Sequence, residues 1–241
     1  MLPEIINDWI IPYFPLNGKR ILDFGCGDGA TALGFAMNYN PSEVLGIEVQ
    51  SEELENCIPR ARSNLKIKEL PLNFKFNQIR PGEDLDRLGE FDLIYAWSVF
   101  EHVDQGIVSE VLLSIKNALN TNGLFFIQIA PLYFSAFGSH LGEFIKEPWA
   151  HLGLQHNRLL NELRVKCQDT SKYNELIYCY ETLNKITSNE LKHFMVESGF
   201  EIVREYRTFV DGFNPDESLL GIYDRDVLMT EQIVLLAKLK K

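Results

Sequence analysis

The sequence predicts an α/β fold: a doubly wound, mostly parallel sheet of seven strands with a long insertion. Three observations lead there. Between residue 19 and about residue 130, short apolar runs alternate with amphipathic stretches, the pattern of buried strands joined by crossover helices. One of these runs ends on three closely spaced glycines that open into a helix, a join that α/β sheets use beside ligands. The chain of 241 residues, 46% of them hydrophobic, is long enough to bury one sizeable core.

At the N-terminus Leu2, Ile5, Ile6, Trp9 and Ile10 are interrupted by Glu4 and Asp8. That spacing predicts an amphipathic helix within residues 1–18, with neither a signal peptide nor a membrane span. Strands are expected at Arg20 to Phe24, Val44 to Glu48, Asn73 to Ile79, Phe91 to Ala96 and Gly123 to Ala130. Helices are expected between them at Thr31 to Tyr39, Ser51 to Leu65 and Ile107 to Leu119, the last stopped by Asn120, Thr121, Asn122 and Gly123. Residues 131–185 break the rhythm with aromatics, Gly138, Gly142, Pro148, Gly153 and three of the five histidines. So long a segment between core elements predicts a lid or acceptor-binding insertion. Beyond it, Ser188 is expected to cap a helix running to Glu197 and ended by Gly199, followed by strands at Glu201 to Arg207 and Val227 to Lys238. The expected organisation is one domain: helix 1–18, core 19–130, insertion 131–185 and a C-terminal helix with two strands, 186–241.

Charge and cysteine usage narrow the function. With 23 Lys+Arg against 34 Asp+Glu, the net charge of -11 repels a phosphate backbone, and no basic patch offsets it. Nucleic acid and membrane are therefore not expected as partners. Cys26, Cys57, Cys167 and Cys179 form no C-x-x-C pair, which fits reduced thiols and a cytoplasmic protein. Nothing in the sequence indicates an oligomeric state.

The most informative stretch runs from Ile21 to Ala30, where Asp23 precedes Gly25, Cys26, Gly27 and Gly29. Glu48 ends the next strand, 25 residues after Asp23, where a carboxylate can accept both hydroxyls of a ribose. Together they point to an adenosine-containing cofactor. Gly25, Gly27 and Ala30 also satisfy the dinucleotide pattern G-x-G-x-x-A. Asp23 separates the two cases, because a carboxylate there repels a pyrophosphate and attracts the amino group of a methionine moiety.

The Ile21 to Ala30 stretch resembles motif I of class I S-adenosylmethionine-dependent methyltransferases, and Phe91 to Val103 resembles the fourth-strand motif of their type 11 branch. The resemblance covers residues 19–130 and 186–239. It implies a Rossmann-like fold with an antiparallel last strand and S-adenosylmethionine as cofactor. It places Asp23, Gly25, Cys26, Gly27 and Gly29 around the methionine part and Glu48, with Val49 beside it, at the ribose. Glu83 and Asp84 are implied near the adenine, and Trp97 is counted among the cofactor residues. Pro81 stands where the family usually has an acidic residue after the third strand.

Methyl transfer from a sulfonium asks the protein to align an acceptor, exclude water and, for an alcohol, remove a proton. The Trp97-Ser98-Val99-Phe100 segment is not the Asn/Asp-Pro-Pro-Tyr type expected for amide or base nitrogen. O-methylation of a small or medium polar acceptor, such as a sugar or small metabolite, is therefore expected. The alternatives are a nucleotide-dependent oxidoreductase and a non-catalytic cofactor-binding or scaffold protein. His151 is the first choice of general base, His140 the second, and His102, at the end of the fourth strand, has a competing claim. His140, Glu143, Glu147 and His151 have helix-like spacing, but Pro148 interrupts it. No metal is expected.

Overall fold

The computed structural model describes residues 2–50, 52, 55, 56, 59, 60 and 69–241. Its centre is a seven-stranded sheet. The strands are β1 (Arg20–Phe24), β2 (Glu43–Glu48), β3 (Phe74–Gln78), β4 (Phe91–Trp97), β5 (Leu119–Ile129), β6 (Phe200–Phe209) and β7 (Thr230–Leu239). They lie in the order β3-β2-β1-β4-β5-β7-β6. The first five pair in parallel, and β7 inserts antiparallel between β5 and β6. This is the expected architecture, reversed last strand included.

Neighbouring residues of one strand feed opposite cores because side chains alternate across a sheet. Ile21 and Tyr95 pack with Ile6, Trp9 and Ile10 of α1 (Leu2–Ile10) and with Leu33 and Phe35 of α2 (Ala30–Asn38). Leu22 and Ile94 pack on the other face with Val111, Leu112 and Ile115 of α3 (Val108–Asn117). Each large side chain so buried contributes roughly 1.5–3 kcal/mol. Residues 131–185 form α4 (His156–Lys166) and α5 (Thr170–Thr182), joined by a third cluster containing Leu141, Ile145, Leu159, Leu163 and Leu176. α6 (Ser188–Glu197) returns the chain to the sheet through Leu191 and Met195. Among the described residues no helix is long and apolar enough to cross a membrane.

Several expected boundaries move. α3 ends at Asn117, and Asn120 to Gly123 belong to β5 rather than to a loop. Leu119 pairs with Phe91 and the register shifts before Leu93, so the polar run forms an irregular strand start. The cap of α6 is Thr187, not Ser188. Its hydroxyl accepts the Glu190 N–H at 3.2 Å while the Glu190 carboxylate accepts the Thr187 N–H at 2.8 Å. A helical turn, Arg225–Met229, replaces the first residues expected in the last strand. The expected helix from Ser51 to Leu65, and Cys57 within it, falls largely outside the described residues.

Candidate active site

A crevice of about 500 Å³ opens where β1 and β4 diverge toward opposite halves of the sheet, the switch point at which open α/β sheets bind ligands. Gly25 and Gly27 line it after β1, Glu48 and Val49 after β2, Ile79 to Glu83 after β3, and Ser98, Val99, His102 and Val103 after β4. Ile107 and Val111 complete an apolar wall.

The glycine loop is shaped by close approach. Gly25 has φ of +75°, and a Cβ there would lie 2.5 Å from a Val99 methyl. Gly27, φ +51°, has only open space where its Cβ would stand. L side chains are strained at both positions, and Gly25 is blocked sterically as well. Glu48 fastens the loop: its Oε2 accepts the Gly27 N–H at 2.9 Å and its Oε1 those of Val49 and Gln50 at 2.7 and 3.1 Å.

Asp23 lies behind the loop rather than on the crevice wall, 3% exposed. Burial pushes its carboxyl up to about 7, against the opposing effect of the Tyr95 hydroxyl. Among the described residues neither its Oδ2 nor the Tyr95 hydroxyl has a hydrogen-bond partner. Cys26 and Gly29 belong to the same loop off the wall, Gly29 with φ +70° at the start of α2. Glu83 borders the crevice, but its carboxylate already takes the Arg80 N–H at 2.8 Å and pairs with Arg87. Asp84 lies off the wall and accepts the Asp86 N–H at 3.1 Å. Trp97 stacks on Phe126 at 6.1 Å, also away from the crevice.

The three histidines differ in what they face. His102, in the turn Phe100–His102 after β4, is on the wall. His140 stands beside it, ring centroids 5.6 Å apart. His151, the expected first choice of base, is not on the wall: it is 7% exposed and its Nε2 meets the Tyr133 carbonyl at 2.6 Å. Burial lowers all three, His102 and His151 to about 4, so each imidazole is neutral at pH 7. The spacing His140, Glu143, Glu147, His151 does not gather into a metal-ligating group among the described residues. His140 joins His102 and Cys179 instead.

Three contributors escaped the sequence reading. Asn184 holds the turn after β4, its Nδ2 donating to the carbonyls of Phe100 and Val103 at 2.6 and 2.7 Å. Its N–H donates to the Glu101 carbonyl at 2.7 Å. Gln128 accepts the Ser98 hydroxyl at 3.0 Å. A lone glutamine in the apolar run Leu124 to Ile129 was a readable signal, whereas Asn184 and Cys179 offered none.

The site fits an adenosine-bearing ligand on its own chemistry. An open glycine face and a carboxylate stand at one end, an apolar slot between Ile79, Val103, Ile107 and Val111 at the other, and Asp23 Oδ2 lies beneath without a hydrogen-bond partner among the described residues. A crevice so placed on this strand order, with the final strand reversed, defines the class I methyltransferase architecture. The chain belongs to the methyltransferase domain family, whose model matches residues 2–205.

An uncharacterised protein of Rickettsia prowazekii is 28% identical over 209 residues, 76% of this chain and 80% of that protein. The mitochondrial ubiquinone biosynthesis O-methyltransferase of Candida albicans is 30% identical over 52% of this chain and 34% of that enzyme. Among solved structures, PKMT2 of Rickettsia typhi in complex with AdoHcy has the same fold, with TM-score 0.60 and 19% identity. That alignment covers all of this chain, which spans 53% of PKMT2.

Proposed function

We propose that this methyltransferase uses S-adenosylmethionine to O-methylate a small or medium polar acceptor, such as a sugar or small metabolite, in the cytoplasm. The observation that carries this reading is the crevice itself, which has the glycine loop and Glu48 at one end and His102 on the wall after β4. The O-methyltransferase name of the Candida albicans relative supports oxygen as the acceptor atom. The net charge of -11 argues against a nucleic acid substrate.

S-adenosylmethionine supplies an activated methyl group. Gly27 and Val49 offer backbone and open space beside the ligand, and Glu48, with three N–H groups on its two oxygens, keeps an acceptor site for a ribose hydroxyl. Gly82 and Glu83 border the end assigned to adenine. The Asp23 carboxyl lies buried behind the loop. His102, neutral at pH 7, accepts the acceptor hydroxyl and orients its oxygen. Asn184 ties the insertion to the turn that carries His102.

The test is methyl uptake from labelled S-adenosylmethionine across sugars, phenols and small alcohols. Methyl ether formation matched by S-adenosylhomocysteine release is expected. Methylation confined to nitrogen acceptors, or cofactor binding without turnover of any acceptor, would overturn the proposal.

A further inference from the structure

The geometry points to a site for a zinc-class divalent cation formed by His102, His140 and Cys179, with its open coordination position toward the crevice. Donor atoms of the three side chains lie within 4.8 Å of one another. Cys179 Sγ is 3.8 Å from His140 Nδ1. Tetrahedral zinc, with Zn–S near 2.3 Å and Zn–N near 2.0–2.1 Å, sets such a pair roughly 3.6 Å apart. Small side-chain movements therefore close the site.

Hydrogen bonding leaves a lone pair on each imidazole. The Thr182 hydroxyl gives its one proton to the carbonyl of Tyr178 or Cys179, at 2.9 and 3.1 Å. Toward His102 Nδ1, 3.2 Å away, it can only accept. This pairing assigns the proton to His102 Nδ1 and the free lone pair to Nε2. His140 Nε2 faces the Pro131 carbonyl at 3.4 Å, which assigns the proton there and leaves Nδ1 turned to the thiol. Thr182 and Pro131 thus act as outer partners that fix ring orientation, as metal-bound histidines require.

An independent observation favours a cation. Glu101, next to His102, is 2% exposed, and among the described residues neither carboxylate oxygen has a hydrogen-bond partner. Glu101 and Cys179 lie near enough to interact electrostatically. A buried acid without a partner is costly to ionise, and a divalent ion at the cluster would favour its charged form. Three protein ligands and one open position are the arrangement of catalytic rather than structural zinc. Because His102 lies on the crevice wall, the open position of the bound cation takes the acceptor hydroxyl in place of the hydrogen bond that metal-free His102 accepts. That last point rests on the proposed function, whereas cation binding does not.

Titration of the metal-free chain with Co²⁺ is expected to give one equivalent of tetrahedral cobalt spectrum with a thiolate charge-transfer band, displaced by Zn²⁺. Cys179→Ser should lose the charge-transfer band. His140→Asn, which tolerates the φ of +60° at that position, should weaken Co²⁺ binding roughly tenfold or more. Without any variant, Zn²⁺ should protect Cys179 from alkylation, read by mass spectrometry. No tetrahedral spectrum in the wild type, a charge-transfer band unchanged in Cys179→Ser, or full alkylation of Cys179 under saturating Zn²⁺ would overturn the site. Methyl ether formation by a chain that fails these tests would leave the proposed function standing. A chain that binds Co²⁺ through Cys179 but methylates no alcohol would overturn that function alone.

Discussion

Glu48 Oε2 accepts the Gly27 N–H at 2.9 Å and so ties the end of β2 to the glycine loop after β1. The two residues come from adjacent parallel strands, in which Phe24 pairs with Ile47. A carboxylate at the end of β2 therefore shapes the loop of its neighbour before any ligand arrives. Glu48→Ala removes the acceptor for three N–H groups and any bond to a ribose hydroxyl. Affinity for S-adenosylhomocysteine should fall by about 1.5–3 kcal/mol, on the scale of a charge-assisted hydrogen bond. Calorimetric titration checks this, and unchanged affinity would remove Glu48 from the site.

Gly25 and Gly27 should respond differently to alanine. Both have positive φ, at a backbone cost of roughly 1–2 kcal/mol, but only Gly25 also meets the Val99 methyls. Gly25→Ala should therefore lower the melting temperature more than Gly27→Ala. Val99→Ala should restore part of the Gly25→Ala loss, which a double-mutant cycle of thermal unfolding can read.

Asp23 should make the ligand-free protein lose stability as pH rises. Its carboxyl is raised from 3.8 to about 7 on folding, so between these values the native state keeps a proton that the unfolded chain has released. The contribution is fully favourable below about pH 4, declines through pH 4 to 7 by at most roughly 1.4 kcal/mol per pH unit, and levels off above. Denaturant unfolding across this range should show that decline in the wild type and a flatter profile in Asp23→Asn. Equal profiles would contradict the assignment.

His151→Ala should act on stability. The imidazole satisfies the Tyr133 carbonyl at 2.6 Å from a 7% exposed position, and an unsatisfied buried carbonyl costs roughly 1–3 kcal/mol. Thermal unfolding should report that loss. A tenfold drop in kcat with an unchanged melting temperature would return His151 to the role of base.

Much of this molecule is legible in its sequence because the relevant signals are local. Arg20 to Phe24 reads as a strand from its apolar run and ends as one, and the glycines and Glu48 lie within 26 residues of each other. Both mark the crevice through backbone geometry that residue type alone imposes. The acceptor side is assembled from distant positions. His102, His140 and Cys179 meet only because α5 docks against the turn after β4, held by Asn184 across more than eighty residues. No spacing encodes that contact. His151 turns instead to the Tyr133 carbonyl, behind left-handed backbone at Trp149.

On the proposed function, the crevice binds S-adenosylmethionine through the glycine loop and Glu48. Isothermal titration of the wild type with S-adenosylhomocysteine and, separately, with NAD tests it most directly. One equivalent of S-adenosylhomocysteine should bind, with affinity reduced roughly tenfold or more in Glu48→Ala, and NAD should show no comparable binding. Tighter binding of NAD, or S-adenosylhomocysteine affinity indifferent to Glu48→Ala, would contradict it.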